Sequence, residues 1–380
     1  MEKFNLLAKT FAGLEEVLAK ELKGIGAENI KIEKRAVSYK GDLRVLYRSN
    51  FELRTALKVL KSIDSFHLKN QHDLYNGIKR IQWDKYFTNK QTFSVSSTAF
   101  SDLFRNSMFV SLKSKDAIVD YFRSKTGSRP SVSTANPDII IHVHISGPKC
   151  YVSLDSSGES LHKRGYRTAQ NEAPLNETMA AGLILLSGWD PKTPFIDPMC
   201  GSGTFPIEAA LIARNIPPGM FRESFAFEKW TDFDADLWEE IFESDYENDL
   251  EPQIFGSDIL SRNIDIAKGN AKNAFISKWI NFSQKDFKEL QPPTSDHGML
   301  IMNPPYGERL KPLFLNQLYE AIGERLKHRF NNNVAWILGY SKEHFNKIGL
   351  RPSRKIHLYN GSLPCQFRQY ELYSGSKKLK

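Results

Sequence analysis

The strongest constraint on the fold is an alternation of short apolar strands with helical stretches that begins after Leu161. A helical stretch over residues 175–186 leads into strands predicted at 195–197, 253–258, 280–284, 298–303 and 334–339. This alternation is typical of a doubly wound, mostly parallel, Rossmann-like α/β sheet. Two further strands, at 355–359 and 366–373, are separated by a turn-prone stretch that contains Asn360 and Gly361. They predict an antiparallel hairpin at the end of the sheet.

The residues before Leu161 show a different pattern, which is not a repeated βαβ array. The first segment predicts a helix over 10–22, a strand over 30–39, a helix that begins near Asp42 and a strand over 56–63. The second predicts a strand over 92–98, a helix over 107–122 and strands over 139–145 and 151–154. Both segments are therefore expected to be small α+β units.

Charge divides the chain into two unlike halves. Residues 1–165 carry 27 Lys and Arg against 17 Asp and Glu, whereas residues 166–380 carry 25 against 27. A basic half joined to a near-neutral half indicates that one part attracts a polyanion, although a solvated basic surface is an open alternative. Twelve carboxylates and a single lysine, Lys229, fall within 223–251. We expect a solvated helical insertion there.

Three protein classes are disfavoured. Cys150, Cys200 and Cys365 lie far apart, which argues against a disulfide framework and a cysteine zinc site. His142 and His144 alternate along one strand without a third ligand, so no metal is expected. No apolar run is long enough to cross a bilayer, and the N-terminus lacks the apolar core of a secretory signal. We therefore expect a cytoplasmic protein with no membrane partner.

A glycine-containing loop joins the first strand of the parallel sheet to the helical stretch 206–213. Glycines at such a strand-to-helix turn let the backbone bend sharply and approach a ligand closely. The third glycine of the dinucleotide-binding pattern is missing, which disfavours an NAD enzyme. We expect the loop to hold an adenosyl ligand through Asp197, Pro198, Cys200, Gly201, Ser202, Gly203 and Thr204.

The next two strands also end on acidic residues. Asp258, followed by Ile259, is placed to accept hydrogen bonds from two ribose hydroxyls. Asp286 could accept from an adenine amino group while Phe287 packs on the ring. Each carboxylate alone is more often a helix cap or a surface group. Three acidic strand ends in succession favour the ligand-binding interpretation.

The fourth strand ends in Asn303, Pro304, Pro305 and Tyr306. A planar base amine is a poor nucleophile, so its hydrogens must be held and its lone pair aimed at the methyl group that it attacks. The Asn303 side-chain carbonyl and the Pro304 backbone carbonyl can accept those hydrogens, and consecutive prolines fix the backbone. Tyr306 can stack on a base that has left its helix or loop. A plain turn is the alternative interpretation.

Both motifs, over residues 197–208 and 303–310, resemble those of class I methyltransferases that modify guanine N2 or adenine N6. Residues 154–167 and 173–178 resemble the junction between a THUMP RNA-binding domain and such a catalytic domain. The resemblance covers nearly the whole chain. It is best to the bacterial large-subunit rRNA guanine-N2 methyltransferase family and extends to the tRNA guanine-N2 enzymes. The family loop often carries Phe at the position of Met199, a change that we expect to be harmless.

The resemblance implies a ferredoxin-like domain over 1–65, a THUMP domain over 66–160 and a methyltransferase domain over 161–380, with the acidic insertion at 223–251. It also implies S-adenosylmethionine as the cofactor, S-adenosylhomocysteine as its product, and a site bordered by Leu175 and Thr178. The implied reaction is methylation of guanine N2 in large-subunit rRNA, and guanine-N2 methylation of tRNA is an open alternative. Adenine-N6 methylation of DNA or RNA and a non-catalytic role in RNA binding or ribosome assembly stay open as alternatives.

Basic residues in two regions are candidates for phosphate contacts, because Lys and Arg supply the salt-dependent part of RNA affinity. One group surrounds the helix predicted over 107–122, and the other lies at the domain junction. We expect RNA to contact Arg105, Lys113, Lys115, Arg129, Lys163, Arg164 and Arg167. For the first group, a solvated helix face is the alternative, and Arg167 could instead bridge the domains.

Overall fold

A computed structural model describes residues 2–170, 174–294, 297–305, 312–361 and 363–374. The chain forms two compact units. Unit 1 contains Met1–Thr10, Ala19–Leu161 and Arg222–Ser244, and unit 2 contains Phe11–Leu18, His162–Phe221 and Asp245–Lys380. No helix in these described ranges combines the length and the apolarity that a bilayer crossing requires.

The elements are numbered in chain order. The strands are β1 Phe4–Lys9, β2 Glu28–Glu33, β3 Ala36–Gly41, β4 Lys58–His67, β5 Thr92–Phe100, β6 Ser131–Val132, β7 Ile139–Ser146, β8 Lys149–Asp155, β9 Phe195–Asp197, β10 Ile254–Asp258, β11 Ile280–Gln284, β12 Met299–Met302, β13 Val334–Gly339, β14 Arg354–Asn360 and β15 Leu363–Glu371. The helices are α1 Glu15–Gly24, α2 Leu43–Glu52, α3 Gln71–Lys79, α4 Ser107–Thr126, α5 Glu177–Ser187, α6 Thr204–Ala213, α7 Ala235–Phe242, α8 Ser261–Asn273, α9 Pro312–Arg329 and α10 Lys342–Lys347.

Unit 1 is built on one continuous eight-stranded sheet in the order β2-β3-β1-β4-β8-β7-β5-β6. The antiparallel pairing of β4 with β8 joins the strands of the first predicted α+β unit to those of the second. The single strand predicted over 30–39 is wrong, because Arg35 adopts a left-handed φ of 59° and turns the chain into the β2–β3 hairpin. The sequence patterns also missed β1 and α3.

The acidic segment contains helix α7 and exposed carboxylates, as its charge predicted, but its aromatic side chains pack into a core. Its residues 223–244 belong to unit 1, where the Phe227 ring stacks on Tyr47 at 4.4 Å and Trp238 meets Phe51 edge-on at 5.5 Å. Full burial of a Phe side chain contributes about 1.5–3 kcal/mol. Nearly all carboxylates of the segment stay exposed, so this burial requires no charge to leave water. Two of those carboxylates pair with cations of unit 1, Glu240 with Arg44 and Asp232 with Lys61.

Unit 2 contains the predicted doubly wound sheet, in the order β11-β10-β9-β12-β13-β15-β14. All pairs from β11 to β13 are parallel, and β15 pairs antiparallel with both β13 and β14, as the terminal hairpin predicted. Leu300, Ile301 and Met302 are fully buried in this sheet. Parallel strands carry continuous apolar runs because helices cover both faces. The carboxyl ends of β9, β10, β11 and β12 therefore meet at one edge, next to one another.

A buried contact between two basic groups makes the stability of unit 1 depend on pH. The Lys9 Nζ lies 2.6 Å from His142 Nε2, and His142 is buried next to Ser96, His144 and Lys58. Burial, followed by the charge of Lys9, lowers the pKa of His142 to about 4. The unfolded chain thus binds one proton more than the folded chain between pH of about 6.5 and about 4.

We predict that His142→Gln makes unfolding less sensitive to acid. As the pH falls through that window, the wild-type protein loses stability to the protonation of unfolded His142, by about 3 kcal/mol. Urea unfolding of both proteins at neutral pH and near pH 4 measures the effect, since titrating groups distant from His142 contribute equally to both. Equal pH dependence of the two proteins would contradict the prediction.

Candidate functional site

A cavity of about 620 Å³ lies in unit 2 at the edge where the carboxyl ends of the parallel strands meet. Cavities of this size suit one small ligand. Most of the residues that the sequence assigned to the site line it, namely Leu175, Asp197, Pro198, Cys200, Gly201, Ser202, Thr204, Asp258, Ile259, Asp286, Phe287, Asn303, Pro304 and Pro305. Tyr306 lies outside the described residues. Thr178 and Gly203 do not line the cavity, and Thr178 is fully buried on α5.

The glycine loop has the sharp bend that its sequence predicts. Gly201 and Gly203 adopt left-handed φ values of 53° and 87°, and α6 begins at the next residue, Thr204. A Cβ at Gly203 would lie 2.9 Å from the Cβ of Ala267 on α8. Gly203 is therefore needed for the turn and for close helix packing, and its contribution to a ligand site is indirect.

Asp197 is a buried carboxyl on the cavity wall. Burial raises its pKa well above the usual range and the charge of Asp258 raises it further, while a hydrogen bond from the Met199 amide opposes both. An uncompensated carboxylate is costly in such a place. A ligand that brings a positive charge to this wall would be stabilised by Asp197, and it would favour the ionised carboxylate in return.

Asp258 is less available than the sequence suggested. One carboxylate oxygen accepts from the Gly201 amide at 3.0 Å, and the other accepts from the Leu260 amide and from Asn263 Nδ2. A carboxylate has about four acceptor positions, so Asp258 keeps about one for a ribose hydroxyl instead of two. Its second role is to join the glycine loop to the end of β10.

Asn263 is a cavity residue that the sequence reasoning missed. It lies on α8, five positions after Asp258, and is only 7% exposed. Its Nδ2 donates to Asp258, and its Oδ1 has no donor among the described residues. The sequence does contain a signal for this residue: Asn263 follows Asp258, the acidic end of β10, by about one helical turn.

Asp286 and Phe287 lie where the sequence placed them, although each is already engaged. The Asp286 carboxylate accepts from the Lys288 amide at 2.9 Å, and the buried Phe287 ring stacks on Phe330 at 6.2 Å. Phe287 is part of the core of unit 2 as well as part of the cavity wall. Its packing against Phe330 leaves less of the ring for an adenine than the sequence interpretation assumed.

Asn303 faces the same cavity from the end of β12. This strand pairs directly and in parallel with β9, with Leu300 opposite Ile196. The Asn303 side-chain oxygen is buried, and no donor to it exists in the described ranges. Because unsatisfied buried acceptors are rare and costly, this atom marks a position at which a ligand donor would be stabilised.

Two predicted phosphate contacts are contradicted by burial. Arg164 is 2% exposed, and its side chain pairs with the fully buried Glu208, which also accepts from the Tyr166 hydroxyl. Arg167 is also held inside the unit. It pairs with Glu177 at 2.6 Å and donates to the hydroxyls of Ser202 and Thr204 at 2.8 and 2.9 Å. Arg167 therefore fixes the glycine loop to the start of α5 and is a positioning residue.

The other predicted RNA contacts lie at or near the surface. Arg105, Arg129 and Lys163 are exposed. Lys115 pairs with Asp116, and Lys113 lies 5.2 Å from the ring centroid of Tyr75, so both are only partly available for phosphate contacts.

Cys200, in the glycine loop, is buried, and burial raises the pKa of its thiol, which agrees with a packing role.

Three family models match consecutive parts of the chain. They describe an RlmL ferredoxin-like domain at residues 5–60, a THUMP domain at 69–155 and an RMKL-like methyltransferase domain at 164–369. The third model alone matches more than half of the chain.

Individual proteins with known names are similar over nearly the full chain. A Synechocystis sp. protein, named for a proposed RNA methyltransferase activity, is 41% identical over 95% of both chains. The ribosomal RNA large subunit methyltransferase K/L of Photobacterium profundum is 40% identical over 98% of this chain and 53% of its own length, so the chain spans about half of that relative. A proposed methyltransferase crystallised with SAH is 33% identical, with a TM-score of 0.88 over 99% of this chain and 100% of that one.

We predict that Arg167→Ala weakens binding of S-adenosylhomocysteine about 10-fold or more, because Ser202 and Thr204 lose the donor that orients their hydroxyls. Arg167→Lys should recover part of the affinity, because it keeps the charge next to Glu177. Titration calorimetry measures both.

A matched control is Arg214→Ala, which removes another largely buried arginine of unit 2, paired with Glu247 at 2.9 Å. It should lower the unfolding midpoint and leave the affinity unchanged. If both alanine variants lose stability equally and neither loses affinity, then Arg167 is a structural residue only.

Proposed function

The chain belongs to the RMKL-like methyltransferase family, and from this premise we propose that it methylates the exocyclic N2 amine of a guanine in large-subunit ribosomal RNA. The observation that carries the proposal is the position of the unsatisfied Asn303 Oδ1, on the wall of the cavity that the glycine loop also lines. We infer that the protein acts in the cytoplasm on its RNA substrate.

S-adenosylmethionine is the methyl donor, and its sulfonium supplies an electrophilic methyl group when it is bound. The residues present fit this cofactor, because Asp197 offers a buried carboxyl to a cationic ligand and Asp258 offers an acceptor for ribose. The relative that was crystallised with SAH supports the same ligand class. S-adenosylhomocysteine is then the product.

The chain's own contribution to the reaction is to hold the amine. The Asn303 side-chain carbonyl and the Pro304 backbone carbonyl accept the two N–H groups, which directs the nitrogen lone pair towards the cofactor. Pro304 and Pro305 restrict the backbone, so the acceptors stay in place. The proton released by the amine can leave to water, and no side-chain base is required.

RNA as the substrate is supported by the basic N-terminal half and by the THUMP match at 69–155. The Photobacterium relative is named for ribosomal RNA, which favours that RNA over tRNA. Arg105, Arg129 and Lys163 are the basic candidates that the structure leaves exposed for phosphate contacts. The base is not chosen by Asn303 and its prolines, since adenine N6 requires the same pair of acceptors.

A labelled-methyl assay on unmodified large-subunit rRNA, tRNA and duplex DNA, followed by nucleoside analysis, tests the proposal. We expect N2-methylguanosine from the rRNA. Methylguanosine from tRNA alone would move the substrate to tRNA, and methyladenine as the only product would overturn the choice of guanine. A protein that neither binds S-adenosylmethionine nor transfers a methyl group would support a non-catalytic, RNA-binding role.

We predict that Asn303→Ala lowers kcat about 100-fold or more and leaves the affinity for S-adenosylhomocysteine within about twofold, because the acceptor acts on the amine and not on the cofactor. Single-turnover methyl transfer and calorimetry measure the two quantities. Asn316→Ala is the matched control, since Asn316 Oδ1 is also buried without a donor in the described chain but does not line the cavity. Unchanged turnover in Asn303→Ala would contradict the proposed role.

A further inference from the structure

Three aromatic rings lie side by side on adjacent strands of unit 1. The Phe100 ring on β5 lies 6.1 Å from the His144 ring on β7, and the His144 ring lies 6.1 Å from Tyr151 on β8. The His144 and Tyr151 rings are stacked, with 30° between their planes. The pairing of Thr98 with His144 and of His144 with Tyr151 places all three rings at one end of the sheet, on one face.

Two of the three rings are exposed, and the third, His144, is partly buried. Phe100 is 72% exposed and Tyr151 is 36% exposed. The Thr98 hydroxyl lies 2.8 Å from His144 Nδ1, and the Phe100 carbonyl accepts from the Gly147 amide at 2.8 Å. Folding usually buries large aromatic side chains, because their burial stabilises the protein. Three adjacent rings that are at least partly accessible therefore indicate a binding surface.

The surroundings of the rings are polar and basic. On the same face of the sheet lie Ser96 and Ser153, which pair with His142 between them. The Lys149 ammonium lies 4.9 Å from the Tyr151 ring centroid. Serine and lysine are depleted at protein–protein interfaces relative to the rest of the surface, which disfavours a protein-docking patch here. Proteins that bind single-stranded nucleic acids stack unpaired bases on exposed aromatic rings and neutralise the phosphates with nearby basic side chains.

We propose that Phe100, His144 and Tyr151 form a stacking platform for unpaired bases of RNA, with Lys149 neutralising a neighbouring phosphate. The proposal rests on the proposed RNA substrate and extends it, since it assigns a contact surface in unit 1. Rings on adjacent strands of a sheet can each take a base face without selecting its sequence. The platform therefore contributes affinity for single strands, and sequence selection is left to other contacts.

The test compares the full-length wild-type protein with the Phe100→Ala/Tyr151→Ala double variant. Fluorescence anisotropy measures binding of a labelled oligouridylate and of an RNA duplex of the same length. We expect single-strand binding to weaken about 10-fold for each ring removed, duplex binding to change less than threefold, and the salt dependence of both to stay the same. Tyr151→Phe should retain most of the single-strand affinity.

Phe275→Ala is the matched control, because this aromatic residue is 80% exposed but lies in unit 2. It should leave both affinities unchanged, and S-adenosylhomocysteine binding by the double variant should equal that of the wild type. If the wild type binds and methylates RNA while the double variant binds single strands equally well, the platform is wrong and the proposed function stands. If the wild type neither binds nor methylates RNA, both proposals fail.

Discussion

The parallel pairing of β9 with β12 is the interaction on which the rest of the site depends. Because Phe195 lies opposite Met299 and Ile196 opposite Leu300, the loops after the two strands leave the sheet at the same edge. One loop is bent by Gly201, and the other presents Asn303. Phe195, Ile196 and Leu300 are buried in close packing, and a shift of register would disrupt the fit of their side chains. The chemistry of the site is thus positioned by core packing.

A buried ionic network secures the glycine loop at its outer side. Arg167 connects Glu177 with the hydroxyls of Ser202 and Thr204. Such pairs add little net stability, because the desolvation of both charges offsets their attraction. Removing one partner is nevertheless costly, since it leaves the other charge buried. The network is therefore better understood as a device that holds one loop conformation than as a source of stability.

Local patterns predicted much of the fold. Apolar runs bounded by turns located the strands of the parallel sheet, and Asp42 predicted the start of α2, which it caps. Local patterns failed wherever contacts between residues distant in the sequence determined the structure. The hairpin at Arg35 carries no glycine, so nothing local indicated a left-handed residue. The partners of Arg167 lie 8 to 37 positions away. An arginine that donates to buried acceptors cannot be distinguished from a surface arginine by the sequence around it. The prediction for the acidic segment rested on its many carboxylates and did not consider its aromatic residues, which pack into the core of unit 1.

The position of that acidic segment in the chain affects how the protein is made. Residues Arg222–Ser244 complete the core of unit 1, although they are encoded within the sequence of unit 2, after β9 and α6. During translation, Tyr47 and Phe51 must wait for Phe227 and Trp238, nearly two hundred residues later, before their packing is complete. The N-terminal sheet can pair its strands earlier, but Tyr47 and Phe51 on α2 then lack their aromatic partners. The assembly of the two units on the ribosome is consequently interleaved and cannot proceed strictly from the N-terminus to the C-terminus.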